Sequence, residues 1–400
     1  MSFQTTTAFV GETTPAFGGG AAPAIVGGTA PAFVGGTSVP TIREDEEPSG
    51  LKSLPQVSLP QVSLPPVALP GVAPPQVDCR STARRFVLDL KLPLRHAGTR
   101  SVVVRGEWLG PVDAPVVVVA GGISANRHVA AGPGSAEPGW WESQVGPGRS
   151  IDTQQVRVLA IDWLGADGTL DAPIDSADQA DALARVLDRL GVAKLAAFVG
   201  ASYGAMVGLQ FAARHGQRLD RLVAISGAHR PHPYASAWRA LQRQCVALGR
   251  SEGAVTQGLA LARQWAMLSY RTPEEFAERF DAPAVLDDGV ARCAAEDYLE
   301  SCGRRYAARW TSTAFLRLSE SIDLHRVDPA DVRVPTTLVA VEEDRLVPLS
   351  DLQSLAESLG APARLRVLRS RFGHDAFLKE EAAVAGILVE ALAGCTGGAA

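Results

Sequence analysis

Residues 195–215 read LAAFVGASYGAMVGLQFAARH, and this stretch decides the predicted fold. An apolar run with the length of a buried strand ends at Val199, and a run typical of a helix follows Gly204. Gly200 and Gly204 allow a turn that is too tight for a Cβ atom at either position, and Ser202 lies between them. A turn of this kind from strand to helix exposes the serine Oγ at the edge of a sheet. The stretch therefore predicts a serine nucleophile on an α/β sheet.

Composition limits the classes of protein to consider. The chain has 400 residues, of which 46% are hydrophobic and 20% charged, with a net charge of −5. This length suits one large domain or two small ones, and the mild acidity gives no reason to expect binding to nucleic acid or to an acidic membrane. No apolar stretch reaches the roughly 18 residues of a membrane span, and no secretory signal is seen at the N-terminus. We expect neither a nucleic-acid nor a membrane partner.

The cysteines indicate the redox compartment. Their number is odd and they include no CxxC pair; they are Cys79, Cys245, Cys293, Cys302 and Cys395. This usage fits a reducing cytoplasm and argues against a disulfide framework or a zinc site. We therefore predict a cytoplasmic protein with no metal and no bound cofactor.

The first 80 residues differ from the rest. They repeat short apolar motifs amid Gly, Thr and Pro, and Leu54-Pro55-Gln56-Val57-Ser58 recurs at residues 59–63. Because proline at every fifth position removes backbone donors and blocks a helix, this composition favours extended polyproline II or disorder. We expect residues 1–80 to be a disordered extension without a catalytic part, and the alternative is that its regular Leu and Val residues dock on a partner. The other predicted boundaries are an α/β core over 81–229 and 329–393, a helical lid over 230–328 and a flexible tail over 394–400.

Strand and helix patterns alternate from residue 84 onward. Residues 86–90 and 101–105 predict paired antiparallel strands, and residues 177–190 predict an amphipathic helix. Further apolar runs predict strands at 115–120, 156–162, 195–199, 222–226, 336–341 and 365–368. This alternation predicts an α/β fold with a mostly parallel sheet and helices on both faces. Helical runs at 235–248, 258–270 and 291–306 predict the lid, over the sheet edge where such folds bind ligands.

A serine nucleophile needs a base and a carboxylate that orients the base. In the α/β-hydrolase fold, which the turn at Ser202 indicates, these residues follow in the order Ser, Asp or Glu, His. His374 comes just after the last predicted strand, whereas His325 lies in the insertion. Asp344 follows the preceding strand and is favoured over Glu342 and Glu343, because a turn and a proline come after it. We predict the triad Ser202, Asp344 and His374.

The developing oxyanion needs backbone N–H donors. One would be the amide of Tyr203, the residue after the nucleophile. The other would come from the loop after the strand at 115–120, where we favour the amide of Ile123.

Several separate motifs resemble those of the homoserine O-acyltransferases, which are α/β-hydrolase-fold enzymes of methionine biosynthesis. The motifs are GWWESQVGPG at 139–148 with IDT at 151–153, GHDAFL at 373–378, the stretch 262–271, and Tyr298-Leu299-Glu300 with Gly303. The resemblance covers residues 85–390. It implies the same triad and a homodimer through the lid helices.

The resemblance also implies substrate-binding residues. Arg263 and Tyr270 match the family's homoserine-binding pair, and their spacing of two helical turns lets both face the site. Arg263 would hold the substrate carboxylate as a bidentate pair, and Asp375 would pair with its ammonium group. Two differences lie beside the expected acyl position. The turn reads GASYGA where the family has GGSMGG, and residues 121–125 read GGISA where the family has HALTG.

The predicted activity is ping-pong acyl transfer from an acyl-CoA to the hydroxyl of L-homoserine. Succinyl and acetyl donors both stay open, and Arg127 favours succinyl because its cation could hold the second carboxylate. L-Serine is an alternative acceptor, since one methylene changes binding by only about 1–3 kcal/mol. A hydrolase with water as acceptor and a non-catalytic interaction protein are the competing hypotheses.

Overall fold

The computed structural model describes residues 84–133 and 135–395. The predicted extension at 1–80 lies outside these residues, as does the end of the predicted tail at 396–400. The domain boundaries given above stay predictions.

The centre of the described chain is an eight-stranded sheet with the order β1-β2-β6-β3-β7-β8-β11-β12. Only β2 runs antiparallel to its neighbours; the other neighbouring pairs within this sheet are parallel. Two small sheets pair β4 with β5 and β9 with β10. The strands are β1 Arg85–Leu94, β2 Gly98–Leu109, β3 Val116–Ala120, β4 Val145–Gly146, β5 Ile151–Asp152, β6 Arg157–Ile161, β7 Ala197–Ala201, β8 Leu222–Ile225, β9 Val285–Asp287, β10 Val290–Arg292, β11 Thr336–Val341 and β12 Ala363–Leu368.

The α-helices of the described residues follow the strands or fill the insertion between β8 and β11. They are α1 Ser176–Leu190, α2 Tyr203–His215, α3 Pro233–Ser251, α4 Val255–Tyr270, α5 Pro273–Phe280, α6 Ala294–Ala307, α7 Ser312–Asp323, α8 Leu349–Ser358, α9 Ala376–Lys379 and α10 Glu381–Leu392. Short 3-10 helices span Gly216–Arg218, Pro329–Asp331 and Gly373–Asp375. The α/β-hydrolase architecture predicted from the sequence is confirmed.

Each face of the sheet has its own hydrophobic core. Successive side chains of β3 alternate between them, since Val118 packs with α1, α2 and α8 while Val117 and Val119 pack with α10 and the segment 129–156. Because both faces are covered, the central strands are apolar along their whole length. This is why residues 115–120 and 195–199 could be identified as strands from composition alone.

The insertion after β8 contains helices α3 to α7, and α4 packs against both α3 and α6. It also contains a hairpin that the sequence analysis missed. Residues 291–292 were predicted as helix but belong to β10. Asp288 and Gly289 have φ values of 46° and 78°, so they form the two-residue turn that Asp-Gly favours in hairpins.

The described residues lack two features that mark other classes of protein. No helix there has the length and apolar character needed to cross a bilayer. No three His, Cys, Asp or Glu side chains there are grouped as metal ligands.

Candidate active site

The turn between β7 and α2 holds Ser202 in a strained conformation, with φ 55° and ψ −116°. A Cβ atom on Gly200 would lie 2.3 Å from the carbonyl oxygen of Gly204, and one on Gly204 would lie 2.2 Å from that of Ala120. Both positions therefore exclude any side chain. The Ser202 amide donates to the carbonyl of Ile225 at 2.8 Å, which ties the turn to the end of β8.

A chain of hydrogen bonds joins the three predicted triad residues. Ser202 Oγ lies 2.7 Å from His374 Nε2, and His374 Nδ1 lies 2.7 Å from Asp344 Oδ2. Asp344 follows β11 and His374 lies in the 3-10 helix after β12, so parallel strands deliver all three residues to one edge of the sheet. The other carboxylate oxygen of Asp344 accepts from the amides of Leu346 at 2.8 Å and Val347 at 3.0 Å. This leaves the carboxylate fixed toward the imidazole.

The electrostatics of His374 suit a general base. Burial disfavours the imidazolium, but the charge of Asp344 and its hydrogen bond outweigh burial and raise the pKa of His374 above its ordinary value. Such a group accepts a proton from a hydroxyl more readily than a free imidazole does.

The alternatives to these residues have other partners. His325 is buried between the hydroxyl of Ser176 at 2.6 Å and the carbonyl of Ala228 at 3.0 Å, and burial lowers its pKa to about 4. Glu343 accepts from the amide of Ser370 at 2.7 Å, and Glu342 pairs with Arg369 at 2.8 Å. These groups support the loops around the site.

The proposed oxyanion donors lie on the loop and helix that meet at the nucleophile. A Cβ atom on Gly122 would be 4.0 Å from Ser202 Oγ, so the loop that carries Ile123 passes beside the nucleophile. Gly204 donates to the carbonyl of Gly121 at 2.9 Å and fixes this loop to α2. The amides of Tyr203 and Ile123 donate to no other described residue, which leaves them free for an oxyanion.

The side chain of Tyr203 belongs to the core. It is 1% exposed, its ring lies edge-on to Trp163 at 4.9 Å between centroids, and its hydroxyl bonds to that of Ser321 in α7. Burial raises its pKa. The Tyr203 side chain therefore packs the turn against α7, and Tyr203 also lines the cavity beside Ser202.

A cavity of about 580 Å³ lies over the nucleophile. Arg263 and Tyr270, both on α4, line it together with Ser202 and His374. The Arg263 guanidinium carbon lies 5.5 Å from the ring centroid of Tyr270 and 4.9 Å from that of Tyr306. It forms no ion pair with a carboxylate of the described residues. The Tyr270 ring lies 5.9 Å from the imidazole of His374, so an anion held by Arg263 would sit close to the base.

Asp375 also lines the cavity, but it already has a cationic partner. Arg271 Nε lies 3.0 Å from its Oδ2, and Arg271 Nη1 donates to Glu275 at 2.8 Å. Burial raises the pKa of Asp375 in spite of Arg271. A substrate ammonium would therefore share Asp375 with Arg271.

Arg127, which the sequence predicted to hold the second carboxylate of a succinyl group, points away from the cavity. Arg127 is absent from the lining of the cavity, and its guanidinium pairs with Asp162. Its amide donates to the other oxygen of Asp162 at 2.9 Å, so the backbone and the side chain of Arg127 both bond to the same carboxylate. Position after the oxyanion loop was not enough to predict where this side chain points.

Comparison with known proteins now places the chain. Residues 115–381 match the family model described as the alpha/beta hydrolase fold. The chain is 64% identical to a homoserine O-succinyltransferase of Xanthomonas campestris pv. campestris over 310 residues, which cover 78% of this chain and 84% of that protein. The chain belongs to the homoserine O-acyltransferase family. A homoserine O-acetyltransferase of Thermus thermophilus is 34% identical over 62% of this chain and 71% of its own length.

More distant members and neighbours share the fold. A homoserine O-acetyltransferase structure from Bacillus anthracis superposes with a TM-score of 0.72 at 17% identity, over 78% of this chain and 98% of that one. The structure of esterase E22 gives a TM-score of 0.67 at 19% identity, over 77% of this chain and 100% of that one. The fold therefore serves acyltransferases and esterases alike, and the cavity residues must decide between transfer and hydrolysis.

Sequence reasoning missed several cavity residues of this family member. The cavity lining includes Arg239 of α3, Arg271 at the end of α4 and Tyr306 of α6. The Tyr306 hydroxyl bonds to Ser124 of the oxyanion loop. Arg271 and Tyr306 fall inside or beside stretches that carried the family resemblance, which was the available signal. Arg239 lies in a predicted lid helix with no motif around it.

Proposed function

We propose that this chain transfers a succinyl group from succinyl-CoA to the hydroxyl of L-homoserine. The observation that carries the proposal is the 64% identity to a homoserine O-succinyltransferase over 84% of that protein's length. A serine O-succinyltransferase of Xanthomonas campestris pv. campestris is only 31% identical, which favours homoserine over serine as acceptor. The hydrogen-bonded arrangement of Ser202, His374 and Asp344 supports an acyl-serine route.

In the first half-reaction, Ser202 Oγ attacks the thioester carbonyl carbon while His374 Nε2 takes the hydroxyl proton. The amides of Tyr203 and Ile123 hold the negative oxygen that forms. The carbon–sulfur bond then breaks, the CoA sulfur takes the proton from His374, and the succinyl group remains as an ester on Ser202. Asp344 stabilises the imidazolium throughout.

In the second half-reaction, homoserine enters with its carboxylate on Arg263. Its ammonium group lies against Asp375, which it shares with Arg271. His374 takes the proton of the homoserine hydroxyl, whose oxygen attacks the acyl carbon. The ester bond to Ser202 breaks, Ser202 regains its proton from His374, and O-succinylhomoserine leaves. Tyr270 packs beside His374 and supports the acceptor end of the cavity.

Water is the competing acceptor, and lid residues oppose it. Arg263 and Tyr270 of α4 and Tyr306 of α6 cover the nucleophile together with the oxyanion loop. A guanidinium without a carboxylate partner favours an acceptor that brings its own carboxylate. For this reason we place transfer ahead of hydrolysis.

We further propose that residues 230–328 act as the lid of a core formed by 81–229 and 329–393, and that the enzyme works in the cytoplasm as a homodimer. Large apolar side chains are exposed on the two longest lid helices: Leu241, Leu248, Val255, Leu261 and Leu268. A second copy of the chain would cover this α3–α4 face.

Product analysis tests the proposed function. Purified enzyme is incubated with succinyl-CoA or acetyl-CoA and with homoserine or serine, and products are identified by mass spectrometry. We expect O-succinylhomoserine to form fastest, and no product with Ser202→Ala. Thiol release that homoserine does not change, with free succinate as the only product, would instead establish a hydrolase.

A further inference from the structure

One wall of the cavity carries an unbalanced positive charge. Arg239 Nε donates to Asp323 Oδ1 at 2.8 Å, and Arg243 Nη1 donates to Asp323 Oδ2 at 2.6 Å. Ser236 Oγ also donates to Asp323 Oδ1, at 2.7 Å. The side chain of Arg239 is 12% exposed, that of Arg243 22% and that of Asp323 19%. Two guanidinium groups therefore share one carboxylate in a mostly buried place, and one positive charge remains uncompensated.

The uncompensated charge faces the cavity through Arg239. Arg239 lines the cavity, whereas Arg243 is absent from its lining. Arg239 Nε and Nη2 are engaged by Asp323 and by Ser236 Oγ, but Nη1 bonds to no described residue. Since a guanidinium has donors on every edge, this nitrogen can take an anion while the others keep their partners.

Arg239 is near the reacting groups. It lies in α3, the helix that follows β8, and the end of β8 accepts the hydrogen bond of the Ser202 amide. Arg239 lines the same cavity as Ser202, His374 and Tyr270.

The other cationic side chains that line the cavity either have a different partner or are exposed to solvent. Arg263 faces the acceptor end beside Tyr270, and Arg271 is balanced by Asp375 and Glu275. Arg230 and Lys379 are exposed to solvent. His232 caps α3, where its Nδ1 accepts from the amide of Tyr234 at 3.2 Å.

We propose that Arg239 is the residue that selects a dicarboxylic acyl group, by binding the terminal carboxylate of the succinyl chain while its carbonyl is at Ser202. The inference rests on the proposed function and replaces the role predicted for Arg127. An acetyl group has no second carboxylate and gains nothing from Arg239. Arg239 therefore sets donor preference and takes no part in the proton transfers.

The test compares Arg239→Gln with Arg243→Gln. Either substitution leaves Asp323 paired with the remaining arginine, so neither variant buries an unpaired charge. For each enzyme, thiol release from succinyl-CoA and from acetyl-CoA is measured at saturating homoserine, and thermal unfolding checks the fold. Loss of a charged hydrogen bond predicts a fall of about 10- to 100-fold in kcat/KM for succinyl-CoA in Arg239→Gln. Activity with acetyl-CoA should stay or rise, and Arg243→Gln should keep the wild-type preference.

The outcomes separate the two proposals. If the wild-type enzyme is inactive with both succinyl-CoA and acetyl-CoA, the proposed function itself is overturned. A wild-type succinyltransferase whose Arg239→Gln variant loses both donors to the same extent would overturn the role of Arg239. That result would indicate that the Arg239 guanidinium binds the phosphate groups of CoA, which both donors share. An equal shift of donor preference in Arg243→Gln would also overturn it, because the whole cluster would then act rather than the one side chain in the cavity.

Discussion

At the residue scale, the protonation of His374 controls the proposed chemistry. Only the neutral imidazole can take the proton of Ser202, so activity falls as the pH drops through the pKa of His374. Asp344 raises that pKa by its charge and hydrogen bond, against the effect of burial. We therefore expect the acid limb of the kcat/KM profile above 6.5, the ordinary value for histidine.

Replacing Asp344 by Asn tests this assignment. The variant should move the acid limb to lower pH, because the charge that stabilises the imidazolium is gone, and should lower kcat by about 10³- to 10⁴-fold. pH–rate profiles of thiol release provide the measurement. Glu342→Gln is the matched control, since its carboxylate lies two residues away and pairs with exposed Arg369. An unchanged profile in Asp344→Asn would remove Asp344 from the triad.

Residues whose role depends on chain order could be predicted from the sequence, and residues whose role depends on a distant partner could not. The order Ser202, Asp344, His374 follows from the strands that carry them. Arg271 and Asp375 meet only because α4 ends near the 3-10 helix after β12, across about a hundred residues of chain. Arg127 points to Asp162 for the same kind of reason, and no local pattern signals that pairing.

At the element scale, the turn between β7 and α2 depends on close backbone contact. A Cβ atom on Gly204 would lie 2.2 Å from the carbonyl oxygen of Ala120 and 2.8 Å from that of Gly121. Gly204→Ala should therefore destabilise the fold by about 1–3 kcal/mol, as overpacking does, and displace the oxyanion loop with loss of activity. Thermal unfolding and thiol release measure both effects.

Gly386→Ala is the matched control for Gly204→Ala. Gly386 lies inside α10, and a Cβ atom there would meet nothing within 4 Å. Since alanine favours a helix over glycine, this variant should gain about 0.5–1 kcal/mol and keep full activity. Equal stability of the two variants would contradict the packing described for the turn.

Strands and helices with a clear pattern of apolar residues were predictable, and short elements in the lid were not. Strands β3 and β7 are buried on both faces, so their composition alone marks them. Strands β9 and β10 have three residues each and expose Val285, Leu286 and Val290, so no apolar pattern distinguishes them from a helix. Only Asp288-Gly289 carried the signal of a hairpin.

At the scale of the whole molecule, the exposed apolar side chains of the α3–α4 face predict self-association. Leu248, in α3, is 65% exposed. We expect light scattering after gel filtration to show a dimer for the wild type and a monomer for Leu248→Lys, because a charge cannot be buried in an apolar interface without a partner. Leu286→Lys, at a residue 79% exposed on the β9–β10 hairpin, should remain a dimer. A wild-type monomer at micromolar concentration would contradict the proposed dimer.

The overall architecture was predictable because its signals are spread along the chain, whereas the content of the cavity was not. Alternating strands and helices indicate the sheet, and a break in that alternation indicates the insertion between β8 and β11. The cavity forms where the insertion folds back over the nucleophile, and its charged lining residues include Arg239 of α3, Arg263 of α4, Arg271 at the end of α4 and Asp375 after β12. Arg263 has no carboxylate partner among the described residues, whereas Arg239 shares Asp323 with Arg243, and both results depend on three-dimensional neighbours.

In the proposed mechanism, Ser202 carries the succinyl group from one substrate to the other. Intact-protein mass spectrometry after mixing the enzyme with succinyl-CoA, first without and then with homoserine, tests it most directly. We predict a single succinyl adduct on the wild type, none on Ser202→Ala, and loss of the adduct with formation of O-succinylhomoserine once homoserine is added. Formation of O-succinylhomoserine by an enzyme that never carries an adduct, or by Ser202→Ala at the wild-type rate, would contradict the acyl-serine mechanism.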